Sequence, residues 1–142
     1  MSAISEKLRL AVVDRASGCC EYCHLPAFGQ VSTFPVDHVF PDSQGGPTEL
    51  SNLALACPNC NAHKWAHTLG ADPESRAAVL LFNPRTQQWA DHFEWSRHAP
   101  ELLEGKTACG RATIERLRMN SAKMLDSRRV LRLAGVRIGP AF

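Results

Sequence analysis

The chain has 142 residues, 44% of them hydrophobic and 21% charged, with a net charge of +2. That length suits one domain spanning 1–142 and excludes two of ordinary size, and the composition excludes a disordered chain. No apolar run approaches the roughly 18 residues of a membrane span, and Met1-Ser2-Ala3-Ile4-Ser5-Glu6 lacks the charged and apolar regions of a secretory leader, so the sequence reads as a cytoplasmic protein.

The predicted elements begin with a helix from Ser5 to Ser17. Ile4, Leu8, Val12 and Val13 share one face, Ser5 can cap the start and Gly18 can stop the end. Cys20-Glu21-Tyr22-Cys23 forms a tight knuckle, and 27–33 is unpatterned and reads as a surface loop. Phe34 to Phe40 is a short apolar strand interrupted by Asp37-His38. Residues 41–47, with Gly45-Gly46, form a loop, and Asn52 to Ala56 is a second short apolar stretch. Pro58, inside the second knuckle Cys57-Pro58-Asn59-Cys60, suits the first turn of a helix running to about Leu69. Strand, loop, strand and helix across 34–69 predict a ββα unit. Farther on, Ala77 to Phe82 reads as a short strand or edge segment. Residues 89–96 and 101–106 pair as a hairpin around Arg97-His98-Ala99-Pro100. Thr107 can cap a helix through Met119, and Ser121 another through Leu133.

Six cysteines include two Cys-x-x-Cys pairs. In a reducing compartment such pairs read as a metal site before they read as disulfides. Cys20, Cys23, Cys57 and Cys60 offer four thiolates to one tetrahedral Zn²⁺, closed and therefore structural. The 33 residues between Cys23 and Cys57 imply a folded insert. Such a site adds folding energy directly, which suits a modest core. The alternative is a redox pair or buried thiols. Cys19 neighbours a ligand and complicates the assignment; Cys109 reads as a small apolar filler.

Charge is uneven. From Lys106 onward there are nine basic and two acidic residues, against seven basic and twelve acidic before it. Arg116, Arg118, Lys123, Arg128, Arg129, Arg132 and Arg137 offer a backbone-contact surface for nucleic acid, with a solvated helix face as the competing reading.

The insert carries Val36-Asp37-His38-Val39, Gly45-Gly46 and Asn52-Leu53. Asn52 stands 14 positions after His38, and Asn61 stands 24 after Asp37 and directly after the last knuckle cysteine. With Cys20-Glu21-Tyr22-Cys23 before them and Cys57-Pro58-Asn59-Cys60-Asn61-Ala62-His63-Lys64 after, these motifs resemble the HNH endonuclease family, closely over 15–68. Val39-Phe40 stand where many relatives carry Ile-Ile, and Asn61 stands where others have His. The resemblance implies an α+β fold: a ββα-metal core over about 15–69, an N-terminal helix, and a hairpin-plus-helices extension over about 70–142.

The same resemblance implies a metal-dependent nuclease. Hydrolysis of a phosphodiester needs an activated water and charge stabilisation. A neutral imidazole takes a proton at neutral pH, the role assigned to His38. Hard oxygens from Asp37 and Asn61 suit Mg²⁺ or Mn²⁺ acting as Lewis acid. Asn52 orients the loop that carries the base. His63 offers three readings: metal ligand, phosphate contact or helix cap. Lys64, three residues past Asn61, reads as a phosphate contact or a solvated lysine; Trp65 reads as core before base-stacking platform. Leu81-Phe82-Asn83-Pro84-Arg85, Trp89, His92-Phe93 and Gly110-Arg111-Ala112-Thr113 resemble a run that follows the core in a group of bacterial HNH proteins. Arg85, His92 and Arg111 line the phosphate path or form internal ion pairs. The expected partner is nucleic acid, double-stranded DNA first, and a double-strand break needs a homodimer, a larger assembly or two visits. The competing functions are a non-catalytic zinc module that binds nucleic acid and an accessory subunit of a larger nuclease or defence assembly.

Overall fold

The computed structural model describes residues 4–140; Met1, Ser2 and Ala3, part of the start read above as leaderless, lie outside them. Helix α1 spans Glu6–Arg15. The Ser5 hydroxyl accepts the Leu8 N–H at 3.1 Å, and Ser17 and Gly18 turn left-handed just past the end. Val12 is buried and Leu8 and Val13 half-buried against the core, as their spacing predicts. Arg15 ties the helix down, its guanidinium donating to the carbonyls of Leu50 and Leu53 at 2.8 and 2.6 Å.

Strands β1, Val36–His38, and β2, Leu53–Leu55, pair antiparallel with His38 opposite Leu53. Helix α2, Pro58–Lys64, follows at once. Cys57 caps it, its sulfur accepting the Cys60 N–H, and Pro58 takes the first turn, where a missing N–H is harmless. The ββα unit therefore stands, with one correction. The helix ends at Lys64 and not near Leu69, because Trp65 adopts φ 46° and turns the chain away. Residues Leu69–Ala71 form β3, paired antiparallel with β4, Ala78–Leu80.

The second half contains α3, Trp89–His92, then the hairpin β5, Phe93–Trp95, with β6, Leu103–Gly105. The predicted strand over 89–96 is thus shorter and opens with a helical turn. Thr107 and Ser121 cap α4, Ala108–Arg116, and α5, Ala122–Leu133, through their side chains. Gly110 lets α4 lie against the α3 end: a Cβ there would fall 2.0 Å from the His92 carbonyl oxygen. The result is an α+β arrangement of helices and three small antiparallel strand pairs. A single apolar cluster joins α1, the knuckles and β2 to Phe82, Phe93, Leu117, Met124 and Leu131. Among the described residues no helix is long and apolar enough to cross a membrane.

The basic tail is partly structural, which corrects its reading as a surface. Arg128 is fully buried, donating to the carbonyls of Glu101, at 2.7 Å, and Met119, with its guanidinium 5.6 Å from the Trp95 ring centroid. Arg129 and Arg132 both pair with Glu101 at 3.3 Å. Arg118 and Lys123 are exposed.

Candidate active site

The two knuckles bring four sulfurs together. Cys20, Cys23, Cys57 and Cys60 are buried, and their Sγ atoms all lie within 4.8 Å of one another. Cys23 and Cys57 stand 3.7 Å apart, close to the edge of about 3.8 Å expected for four thiolates around zinc. Each turn is closed by an N–H on its first sulfur, at 3.4 Å from Cys23 and from Cys60. Hydrogen bonds from Cys20, Cys57 and Cys60 draw the Cys23 thiol well below its ordinary range, while Cys57 and Cys60 are held above theirs. Four buried sulfurs this close ionise together only around a cation, and their softness and spacing fit Zn²⁺. Glu21 locks the first knuckle to β2: its N–H donates to the Leu55 carbonyl and its carboxylate accepts the Leu55 N–H, each at 2.8 Å.

On the other side of β1 lies an open cleft of about 500 Å³. Asp37, His38 and Asn61 all line it, with Pro41, Asp42 and Trp65. Asp37 and Asn61, 24 apart in sequence, thus line the same cleft from β1 and α2. His38 Nε2 lies 2.9 Å from the Thr48 hydroxyl. Asn52 is buried and holds the intervening loop in a three-way clasp. Its amide nitrogen donates to the Phe40 and Pro47 carbonyls at 3.0 and 2.9 Å, and its oxygen accepts the Phe40 N–H at 2.9 Å. The loop can fold this tightly because residue 46 is glycine; a Cβ there would lie 1.9 Å from the Phe40 carbonyl oxygen.

Asp37 is 5% exposed, yet both its oxygens are engaged. Tyr22 donates its hydroxyl to Oδ2 at 2.7 Å, and Lys64 Nζ lies 3.0 Å from Oδ2 and 3.3 Å from Oδ1. Burial pushes the Asp37 carboxyl up; the Lys64 charge and the Tyr22 hydrogen bond pull it back. Burial also raises the Tyr22 phenol well above its ordinary range, so it stays a donor. Asn61 takes part in no side-chain hydrogen bond among the described residues, which leaves its amide free to meet a ligand in the cleft.

Several expected site residues lie elsewhere. Lys64 is not a solvated lysine: it is paired with Asp37 in the interior. It is 2% exposed, and its ammonium also donates to the His38 and Val39 carbonyls at 3.2 and 3.0 Å. It follows Asn61 by three positions on α2, but its ammonium turns into the interior while Asn61 lines the cleft. His63, two positions from Asn61 and so on the opposite face, bonds the Asn59 carbonyl at 2.9 Å and lines a different pocket with Pro58 and Lys123. Arg85 pairs with Glu21, and Arg111 forms a bidentate pair with Asp72 at 2.9 and 3.0 Å. Both therefore form the internal ion pairs that the sequence offered as one of two readings. His92 is held by Thr107 at 2.7 Å. Trp65, read as core, is 75% exposed at the cleft rim. Tyr22, Thr48 and the buried role of Lys64 escaped the sequence reading, since no periodicity announces a partner 10 to 27 residues away.

The thiolate cluster is closed and buried, whereas the cleft lined by an acid, an imidazole and an amide is open. Residues 20–66 match the family model described as HNH endonuclease, and the chain carries an HNH domain over that span. No curated protein and no solved structure gives a match.

Proposed function

We propose that this chain is an endonuclease that hydrolyses phosphodiester bonds in DNA with the help of a divalent cation. The observation that carries the reading is the one cleft shared by Asp37, His38 and Asn61 within the matched segment. His38 is the general base. In the tautomer that donates Nε2–H to the Thr48 hydroxyl, the Nδ1 lone pair is left to take the proton of an attacking water. Asp37 keeps a lone pair beyond those used by Tyr22 and Lys64, and the Asn61 amide oxygen is uncommitted; two hard oxygens of this kind suit Mg²⁺ or Mn²⁺. When bound, such an ion stabilises charge on the phosphate and the leaving 3′-oxygen. Asn52 positions the loop beyond the base and touches no reacting atom. One site per chain cuts one strand, so double-stranded DNA is nicked unless two copies act together.

A second reading, a zinc module that binds nucleic acid without cutting, draws on the Lys64 ammonium lying where Asp37 would greet a metal. Supercoiled plasmid with Mg²⁺ or Mn²⁺ separates the two. The endonuclease converts it to the nicked form, and His38→Ala slows this by about 10²–10⁴-fold with zinc content and circular dichroism unchanged. Equal rates in parent and variant remove His38 from the mechanism; binding with no cutting by the parent favours the second reading.

A further inference from the structure

Trp65 stands where a large aromatic strains the backbone and gains little packing. Lys64-Trp65-Ala66-His67 is a tight turn closed by the His67 N–H on the Lys64 carbonyl at 2.8 Å. Trp65 has φ 46° and ψ −119°, the first central position of a type II′ turn, which glycine favours and a bulky side chain resists. Burial ordinarily offsets such strain, yet this side chain is 75% exposed. The turn is nevertheless held from several sides. Lys64 is anchored in the interior, Gln44 donates its amide to the Ala66 carbonyl at 3.1 Å, and the His67 ring meets the indole edge-on at 5.8 Å between centroids. A fixed indole is thereby presented on the rim of the cleft that holds Asp37, His38 and Asn61.

An exposed, preorganised indole fits a flat aromatic ligand, and strain kept at such a place points to binding. On the nuclease reading, on which this step rests, the planes available are nucleobases. Within an intact duplex their faces are covered by neighbouring bases, so a side chain can stack only where a base is unpaired or at a strand end. We infer that Trp65 stacks on an unpaired nucleobase beside the scissile phosphodiester, so that the preferred substrate is DNA opened at the cut: a single strand, a gap or a flap. Every base has a π face, so this contact selects structure and not sequence.

The test uses the zinc-loaded full chain carrying His38→Ala, so that the probe stays intact, and an oligonucleotide with one 2-aminopurine. The probe is offered single-stranded, at a gap, and fully paired. Stacking on the indole quenches 2-aminopurine. With Trp65→Ala the quenching is lost, and binding to the first two probes weakens about tenfold or more. Affinity for the fully paired probe changes by less than about twofold. Trp65→Phe retains most of the binding, and Trp65→Gly melts at or above the parent temperature because the turn is relieved. Equal quenching and affinity in parent and Trp65→Ala overturn the proposal, as does an equal loss on the paired probe. A marked fall in melting temperature for Trp65→Gly would make the ring a packing group and overturn it as well. The nuclease reading fails separately. A chain that cuts with Mg²⁺ while Trp65→Ala changes nothing keeps its activity and loses this inference; Trp65-dependent quenching in a chain that never cuts does the reverse.

Discussion

Lys64 is where side-chain chemistry and position diverge most. Its ammonium satisfies three acceptors at once, the Asp37 carboxylate and the carbonyls of His38 and Val39, all inside the protein. Lys64→Met would strand the buried Asp37 charge and cost about 3–5 kcal/mol, measured by urea unfolding with zinc present; a variant as stable as the parent would show the pair to be idle. A second carboxylate makes the opposite pH argument to Asp37. Hydrogen bonds from Arg111, and then from Ser75, hold Asp72 well below the usual carboxylate range. A carboxyl depressed in the folded state contributes stability above its unfolded value of 3.8 and loses it as pH falls below that. Acid unfolding of Asp72→Asn should therefore start from lower stability at neutral pH and show a shallower decline below about pH 4 than the parent. An unchanged slope would remove Asp72 from the acid response. Asp37 works the other way: burial raises its carboxyl, so its ionisation costs stability as pH rises.

The caps of α1, α4 and α5 were readable because Ser5, Thr107 and Ser121 act within three residues of themselves. The premature end of α2 was not, since it follows from Lys64 turning inward and Trp65 taking the positive φ of a type II′ turn. Helix α5 shows the same limit. Its arginines have the spacing of a basic face, but Arg128 points into the protein and holds the helix to the β5–β6 hairpin through the Glu101 carbonyl and the Trp95 ring. Arg128→Ala should cost on the order of 3 kcal/mol in thermal or urea unfolding by leaving the Glu101 and Met119 carbonyls without their donor. Arg132→Ala, at an exposed pair, should cost under about 1 kcal/mol. Similar losses for the two would mean that α5 is not docked through Arg128. Because Met124, Arg128 and Leu131 are buried, truncation after Asn120 would perturb folding as well as charge.

The cysteine cluster is the joint of the molecule. It fastens the turn after α1 to the start of α2, and β1, β2 and the cleft lie between. Zinc binding is then folding free energy for all of them. Full-length protein should carry one zinc by metal analysis, and Cys57→Ser should lose it together with a large drop in melting temperature. Full zinc and parental stability in that variant would refute the four-sulfur assignment. The apolar core that includes the four cysteines draws on both halves of the chain, with Phe82, Phe93 and Met124 among its members. The extension therefore packs on the HNH segment and does not hang from it.

Local order was legible from residue types and spacing: the ββα succession, the three helix caps and the two knuckles; the Asp37, His38, Asn52 and Asn61 set stood out through the family resemblance. These depend on neighbours a few positions apart or on a pattern whose order is itself diagnostic. Direction was not legible. Whether Lys64, Arg85, Arg111 and Arg128 face phosphate or interior, and whether Trp65 fills the core or guards the cleft, depends on which surfaces the folded chain brings opposite them. A charged or aromatic side chain carries the same chemistry in either place; packing alone supplies the partner.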